Sequence, residues 1–251
     1  MGLGLVAEMR HASAAHRHPA RPTARPGTTR AREHDAHAEA RPLWWYARVI
    51  RSLRSEGGRL YQHGCGDGEL LKLLTPYFET FGYDEAALVR HRCRTQVPDA
   101  VILEAPAELP SESADIVVWM GSISRQDALP HLRELRQLLG RDGHLVLVTP
   151  NPGGLGRRLK GRRWLGQPAT VAASFPTLGE WRMVLRRAGL EVTEVQGDGL
   201  WDAPYFGWIP SDLQRSVFGA PLALSSWLPL SRWLLPATLG ESLVLVARRK
   251  S

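Results

Sequence analysis

The stretch LYQHGCGDGELL, residues 60–71, constrains this chain more than any other. An apolar lead-in is followed by glycines at 64, 66 and 68, then by an amphipathic run. Glycines at alternate positions let a chain turn sharply and lay bare backbone against a ligand, as a strand-to-helix turn requires. From Leu43 onward the same alternation of strand and helix recurs. A short helix is expected at 44–53, and strands at 59–63, 80–83, 101–103, 116–120, 144–149, 190–195 and 242–248. Further helices are expected at 68–77 and 85–94. Another carries Leu129, Leu132, Leu135 and Leu138 on one face and stops at Gly140; the last runs from a Thr177–Glu180 capping box to Gly189. This order predicts an α/β fold: a doubly wound, mostly parallel seven-stranded sheet with helices on both faces. Such sheets bind ligands at the carboxyl ends of their strands, where the glycine turn falls.

The charges beside the turn select the ligand. A dinucleotide fingerprint wants a small residue where Glu69 stands, and Asp67 and Glu69 would repel a pyrophosphate at the helix start. A Walker A loop is excluded, because no Gly-Lys-Ser/Thr follows. Asp84, in FGYDE, closes the second strand twenty residues after Gly64, where a carboxylate accepts both hydroxyls of a ribose. A nucleoside with positive charge and no phosphate describes S-adenosylmethionine. The plainer reading of the same residues is a tight turn among ordinary surface acids.

At this point the sequence resembles the class I S-adenosylmethionine-dependent methyltransferases, over roughly residues 41–196 and, less strictly, the last strand. RPLWWYARV is similar to a tryptophan-rich helix that precedes the domain in one bacterial branch. RLYQHGCGDG resembles the first family motif and GYDE the acidic second one. AELPSESADIVVWM resembles the approach to the fourth strand, with Leu109-Pro110 and Asp115 in place. LRELRQLLGRDGHLVLVTPNP is similar to the following helix, turn and fifth strand, with Gly143 at the turn.

The resemblance implies a Rossmann-like methyltransferase fold with S-adenosylmethionine as cofactor. It implies that Gly64, Cys65, Gly66 and Gly68 hold the methionine end. Asp84 and its neighbour Glu85 would hold the ribose, Ala105 and Pro106 would flank the adenine, and backbone near Met120 and Gly121 would meet the amino group. Three positions depart from the pattern. Gln62 replaces the usual acid two residues before the first glycine, Ala105 stands where an acid commonly faces the adenine amine, and Gly121-Ser122 replaces a Glu-His pair. No catalytic residue is named: methyl transfer is an in-line displacement that needs alignment more than acid–base chemistry. His131 reads as a structural member of its leucine-rich helix.

Composition bounds the rest. The formal charge is +7, yet only Lys72, Lys160 and Lys250 are lysines among 32 basic residues, an arginine bias that a GC-rich genome produces without selection for nucleic acid. Nucleic-acid binding is therefore not expected. The two cysteines, Cys65 and Cys93, make neither a disulfide framework nor a zinc site, so no metal and a cytoplasmic setting are expected. No run of about 20 apolar residues is long enough to span a membrane. Residues 1–40 are rich in Ala, Arg, His and Pro and read as a disordered tail before a domain at 41–251. An arginine-rich transit peptide sits poorly with Glu8, Glu33, Asp35 and Glu39, and an overlong start is equally consistent.

Two regions are expected to meet the acceptor, a small or lipid-linked molecule. Residues 151–176 carry Arg157, Arg158, Lys160, Arg162 and Arg163, either a solvated basic loop or a site for an anionic acceptor or membrane surface. Residues 197–240 are long for a connection between two strands and hold Trp201, Tyr205, Trp208, Trp227 and Trp233. They read as a lid, or as a tryptophan-anchored contact with lipid, while Arg232 with Pro221, Pro229 and Pro236 excludes a spanning helix. Two rival functions remain open: a non-catalytic cofactor-binding or scaffold protein on the same fold, and an NAD-dependent oxidoreductase. Oligomeric state is not legible. Deleting residues 1–40 is expected to leave the melting temperature and cofactor affinity unchanged, as differential scanning fluorimetry and calorimetric titration would check.

Overall fold

A computed structural model describes residues 41–121, 123–166, 169–225 and 235–250. The tail, Ser122, Trp227, Pro229, Arg232 and Trp233 lie outside these described residues. The elements are α1 (Leu43–Leu53), β1 (Arg59–His63), α2 (Glu69–Leu74), β2 (Glu79–Tyr83), α3 (Ala87–Gln96), β3 (Val101–Ile102) and β4 (Ala114–Met120). They continue with α4 (Ala128–Leu138), β5 (Leu139–Pro150), α5 (Leu155–Lys160), α6 (Ala169–Ser174), α7 (Leu178–Arg187), β6 (Leu190–Gly197), α8 (Ser211–Ser225) and β7 (Ser242–Arg249). Seven strands form one sheet in the order β3-β2-β1-β4-β5-β7-β6. All neighbours pair in parallel except β7, which runs antiparallel to both β5 and β6.

Side chains two apart on a strand share a face, and the core divides accordingly. Leu60, Ile116, Val118, Val146, Val148 and Val244 pack one way, against α1, α2 and α3. Tyr61, Val117, Trp119, Leu145, Leu147 and Leu245 pack the other way, against α4 and α7. Both faces are covered, which is why the central strands are apolar runs and not alternating ones.

Two expectations about the fifth strand are corrected. Gly140 does not stop α4. The helix ends at Leu138 and Leu139 is already extended, its N–H donating to the Arg136 carbonyl. The expected turn at Gly143 is an irregularity inside β5: Leu139 pairs with Ala114, whereas His144 pairs with Ile116, so the intervening residues bulge. Gly143 fits there because an added Cβ would lie 2.9 Å from the Ala114 carbonyl oxygen. The capping box at α7 is present as expected: Thr177 Oγ1 accepts from Glu180 N at 3.4 Å, and the Glu180 carboxylate accepts from Thr177 N at 2.7 Å.

The two long connections fold into a cap. Residues 151–176 are not an open loop; α5, a 3-10 segment at Gly161–Gly166 and α6 run through them. Within 197–240, Tyr205 is buried and α8 follows, with Pro221 inside it. The connections join through buried polar contacts. Lys160 pairs with Asp202, both side chains being almost fully buried. Glu241, at 0% exposure, accepts from Trp164 Nε1 at 2.6 Å and from the Tyr205 hydroxyl. Asp198, equally buried, accepts from Tyr46 Oη at 2.6 Å, Trp201 Nε1 at 2.7 Å and Ser242 N at 2.7 Å.

Burial raises the Glu241 carboxyl to about 7; the Tyr205 hydrogen bond opposes the shift, and Asp202 and Asp198 add to it. A carboxyl raised in the folded state binds a proton that the unfolded chain has already lost. Its stabilising contribution is therefore complete below the ordinary glutamate range and is lost as pH rises to about 7. Relative to the wild-type chain, Glu241→Gln is expected to gain stability as pH rises from about 4.5 to about 7, by up to roughly 3 kcal/mol. Paired thermal melts across that window check this, and a difference that does not change with pH would refute it.

Candidate active site at the glycine turn

Strands β1, β2 and β4 run in parallel, so their carboxyl ends reach one edge of the sheet. That edge brings Gly64, Asp84 and Met120 together. The glycine turn adopts the backbone its sequence demands: Gly64, Gly66 and Gly68 have φ of 68°, 56° and 89°. These lie in the left-handed region that side chains rarely enter. Cys65 N donates to the Tyr83 carbonyl at 2.9 Å, and Gly66 N donates to Asp84 Oδ2 at 3.2 Å. The other carboxylate oxygen, Oδ1, accepts from Ala86 N at 3.1 Å. Asp84 thus clamps the turn to the end of β2, and each oxygen keeps a second acceptor site free.

Two clefts flank Gly64. The first, of about 450 Å³, lies on the α1–α2–α3 side and is lined by Arg41, Gln62, Cys65, Gly66, Arg92 and Met120 among others. Three buried polar atoms of its lining residues have no hydrogen-bond partner among the described residues: Gln62 Oε1, on a side chain 3% exposed, Arg41 Nε, and Asp67 Oδ1, which is ion-paired with Arg92. The second, of about 530 Å³, lies on the α4 side and holds His63, Asp84, Glu85, Trp119 and His131. His131 packs from α4 onto the sheet and also lines this cleft. Its ring meets that of His63 edge-on at 4.4 Å and that of Trp119 at 4.6 Å. His63 Nδ1 lies 3.0 Å from the Tyr61 hydroxyl. Burial, helped by His131, lowers His63 to about 4, and burial lowers His131 as well. His63 is neutral near pH 7 and can donate and accept one hydrogen bond at its two ring nitrogens.

A model of the methyltransferase domain family matches residues 33–195. The chain belongs to that family. No curated protein matches this methyltransferase. Among solved structures, a TehB-like SAM-dependent methyltransferase from Corynebacterium glutamicum is 18% identical, with 88% of this chain and 95% of that one covered at a TM-score of 0.54. A SAM-dependent methyltransferase from Archaeoglobus fulgidus is 13% identical over 86% and 94% of the two chains, at 0.53. One from Mesorhizobium loti is 20% identical over 79% and 96%, at 0.50. At these identities the likeness establishes the Rossmann-like fold.

The methyltransferase places its other expected residues unevenly. Pro106 borders a third cleft that shares His63 with the second. Ala105 N already donates to Glu108 Oε1 at 2.9 Å, and the neighbouring Glu104 carboxylate is held by Arg90 at 2.7 Å and Arg94 at 2.5 Å. Those arginines pull Glu104 below the usual carboxylate range. Gly121 N continues the sheet, donating to the Val148 carbonyl at 3.0 Å. Gly68 lines none of these clefts and instead lets α2 approach α3. Of the two acids expected at the turn, Asp67 is ion-paired with Arg92 at 3.1 Å. Among the described residues no group of three His, Cys, Asp or Glu could hold a metal.

Sequence reading passed over His63, Arg41 and Arg92. For His63 the signal was present: in β1 it falls two residues after Tyr61, hence on the same face. Arg41, just before α1, and Arg92, in α3, reach the cleft by an approach that only the fold defines. Gly68→Ala would bring a Cβ to 2.7 Å from Val97 Cγ2 and 2.8 Å from Cys93 Sγ, at a φ that disfavours alanine. It is expected to cost roughly 1–3 kcal/mol in a urea unfolding curve.

Proposed function

We propose that the chain is an S-adenosylmethionine-dependent methyltransferase acting on a small-molecule or lipid-linked acceptor. The family match carries the reaction class, and the first cleft supports the cofactor. Buried polar groups without partners are costly unless a ligand completes them. A neutral acceptor, Gln62 Oε1, and a cationic donor, Arg41 Nε, in one cleft suit an ammonium and a carboxylate, the two ends of an amino acid. Gln62 in this reading takes over from the acid that the family usually carries there.

Bound S-adenosylmethionine supplies a methyl group already activated on a sulfonium. The chain's part is to hold and to exclude water. Gly64, Cys65 and Gly66 offer bare backbone to the methionine end, with Gly68 setting the bend. The spare acceptor sites of Asp84 take the ribose hydroxyls beside Glu85. Ala105 and Pro106 flank the base, while Met120 and Gly121 border the amino group. Alignment of the two reactants contributes on the order of 7–11 kcal/mol to such a displacement. No group is assigned as a general base.

A second reading, a scaffold that binds the cofactor without transferring a methyl, draws on the end of β3. There Ala105 N and the Glu104 carboxylate are both occupied by the chain itself. Titration calorimetry with S-adenosylmethionine and its demethylated product tests binding. Affinity no better than about millimolar, some 4 kcal/mol, would refute both readings. Asp84→Ala is expected to lose about 1.5–3 kcal/mol of binding free energy, and unchanged affinity would move the ribose elsewhere. Incubation with methyl-labelled cofactor and an extract of the source cells separates the two readings: label enters the extract for an enzyme and stays on the cofactor for a scaffold.

A further inference from the structure

Strands β5 and β6 are parallel to β1, so Pro150 and Gly197 end at the edge that carries Gly64, and β7 starts there. The cap, built from 151–166, 169–176 and 198–225, therefore rises on the same side as the clefts. Lys160–Asp202, and Trp164 and Tyr205 on Glu241, lock its two parts together. Its outer surface is unusual in two respects. Helix α8 turns Leu213, Val217, Ala220 and Leu224 to solvent at spacings of four, three and four, one apolar stripe on a helical face. Leu213, Val217 and Leu224 are each more than half exposed, and Trp208, three residues before the helix, is 81% exposed. The other part of the cap, 151–166, carries five cations and no acid; the Lys160 side chain is buried against Asp202, while Arg158, Arg162 and Arg163 are exposed.

We infer that the cap is a docking surface for an anionic lipid bilayer, Trp208 and the α8 stripe entering the interface while the arginines face the headgroups. Interfacial binding strengthens with buried apolar area and with positive charge facing anionic headgroups, and this surface offers both. The other occupants fit less well. A second copy of the chain would meet this surface with the same surface, setting one arginine-rich segment near another. A nucleic acid would use the arginines but leave the aliphatic stripe in water. The helix does not span: no helix among the described residues is long and apolar enough. Among the described aromatics of this connection, Tyr205 turns inward, Trp201 bonds Asp198 and Phe218 packs on Tyr205 and Phe206, while Trp208 is the most exposed.

Docking does not depend on the methyl-transfer reading, because it is measured on the full chain without cofactor. The test is co-sedimentation with phosphatidylcholine vesicles and with vesicles containing about 30% phosphatidylglycerol, at low and at high salt. The chain is expected to bind the anionic vesicles at least ten-fold better, and to lose most of that binding at high salt. Trp208→Ala with Leu213→Glu, and separately Arg162→Glu with Arg163→Glu, are each expected to weaken binding about ten-fold without lowering the melting temperature. Brominated acyl chains should quench part of the fluorescence of the wild-type chain and less of that of Trp208→Ala. Equal binding by wild type and both double variants would overturn the inference, because the contact would then lie outside the cap. So would no vesicle binding, tighter binding to RNA than to vesicles through the same arginines, or a dimer in sedimentation that the Trp208 and Leu213 changes dissolve.

Discussion

Two carboxylates without solvent exposure, Asp198 and Glu241, govern how this molecule is put together around its sheet. A buried carboxylate is stable only when donors surround it, and each gathers its donors from distant parts of the chain. Asp198 draws Tyr46 from α1, Trp201 from the connection after β6, and a backbone N–H from the start of β7. Glu241 draws Trp164 and Tyr205 from the two halves of the cap. Even Gly156 is dictated by it, because any Cβ there would run into the Glu241 carboxyl. The apolar core holds the sheet to its helices, α1 included; these acids hold the cap to the sheet and tie α1 to the end of β6.

The same arrangement explains why the cleft has a wall on the α1 side. Tyr46 is tied to Asp198, and Trp45, Tyr46 and Ile50 are buried, so α1 is fixed and Arg41 just before it is delivered beside Gln62. Across Gly64, Asp84 fastens the glycine turn to β2 by accepting from Gly66 N. Positions remote in sequence thereby converge on one bend, and the bend itself contributes mainly its lack of side chains.

Much of the fold was legible because its signals are local. Hydrophobic runs bounded by glycine marked β1, β4 and β7 within one or two residues, and Thr177 with Glu180 marked the start of α7 through a contact three residues long. Gly140 misled, since a glycine after a leucine-rich helix usually caps it, whereas here the strand pairing of Leu139 with Ala114 takes precedence. The cap was illegible for a related reason. The basic run at 151–176 read as a solvated loop or an anion site and 197–240 as a lid or a lipid contact, yet the Lys160 and Trp164 side chains are buried because Asp202 and Glu241, 42 and 77 residues away, receive them. At the candidate site, glycine spacing and the offset to Asp84 marked two segments that the fold joins through Gly66 N and Asp84 Oδ2. Arg41 and His131 enter through packing that no short window of sequence encodes.

Strand β7 runs against every other strand in its sheet, and this orients the molecule in a practical sense. Its carboxyl end, Arg249, pairs beside Leu190 at the start of β6, and Lys250 N bonds the Gly189 carbonyl. That is the rim opposite the glycine turn. A fluorophore, affinity handle or surface tether joined after Lys250 would thus hold the molecule by its back and leave the cleft and cap facing outward.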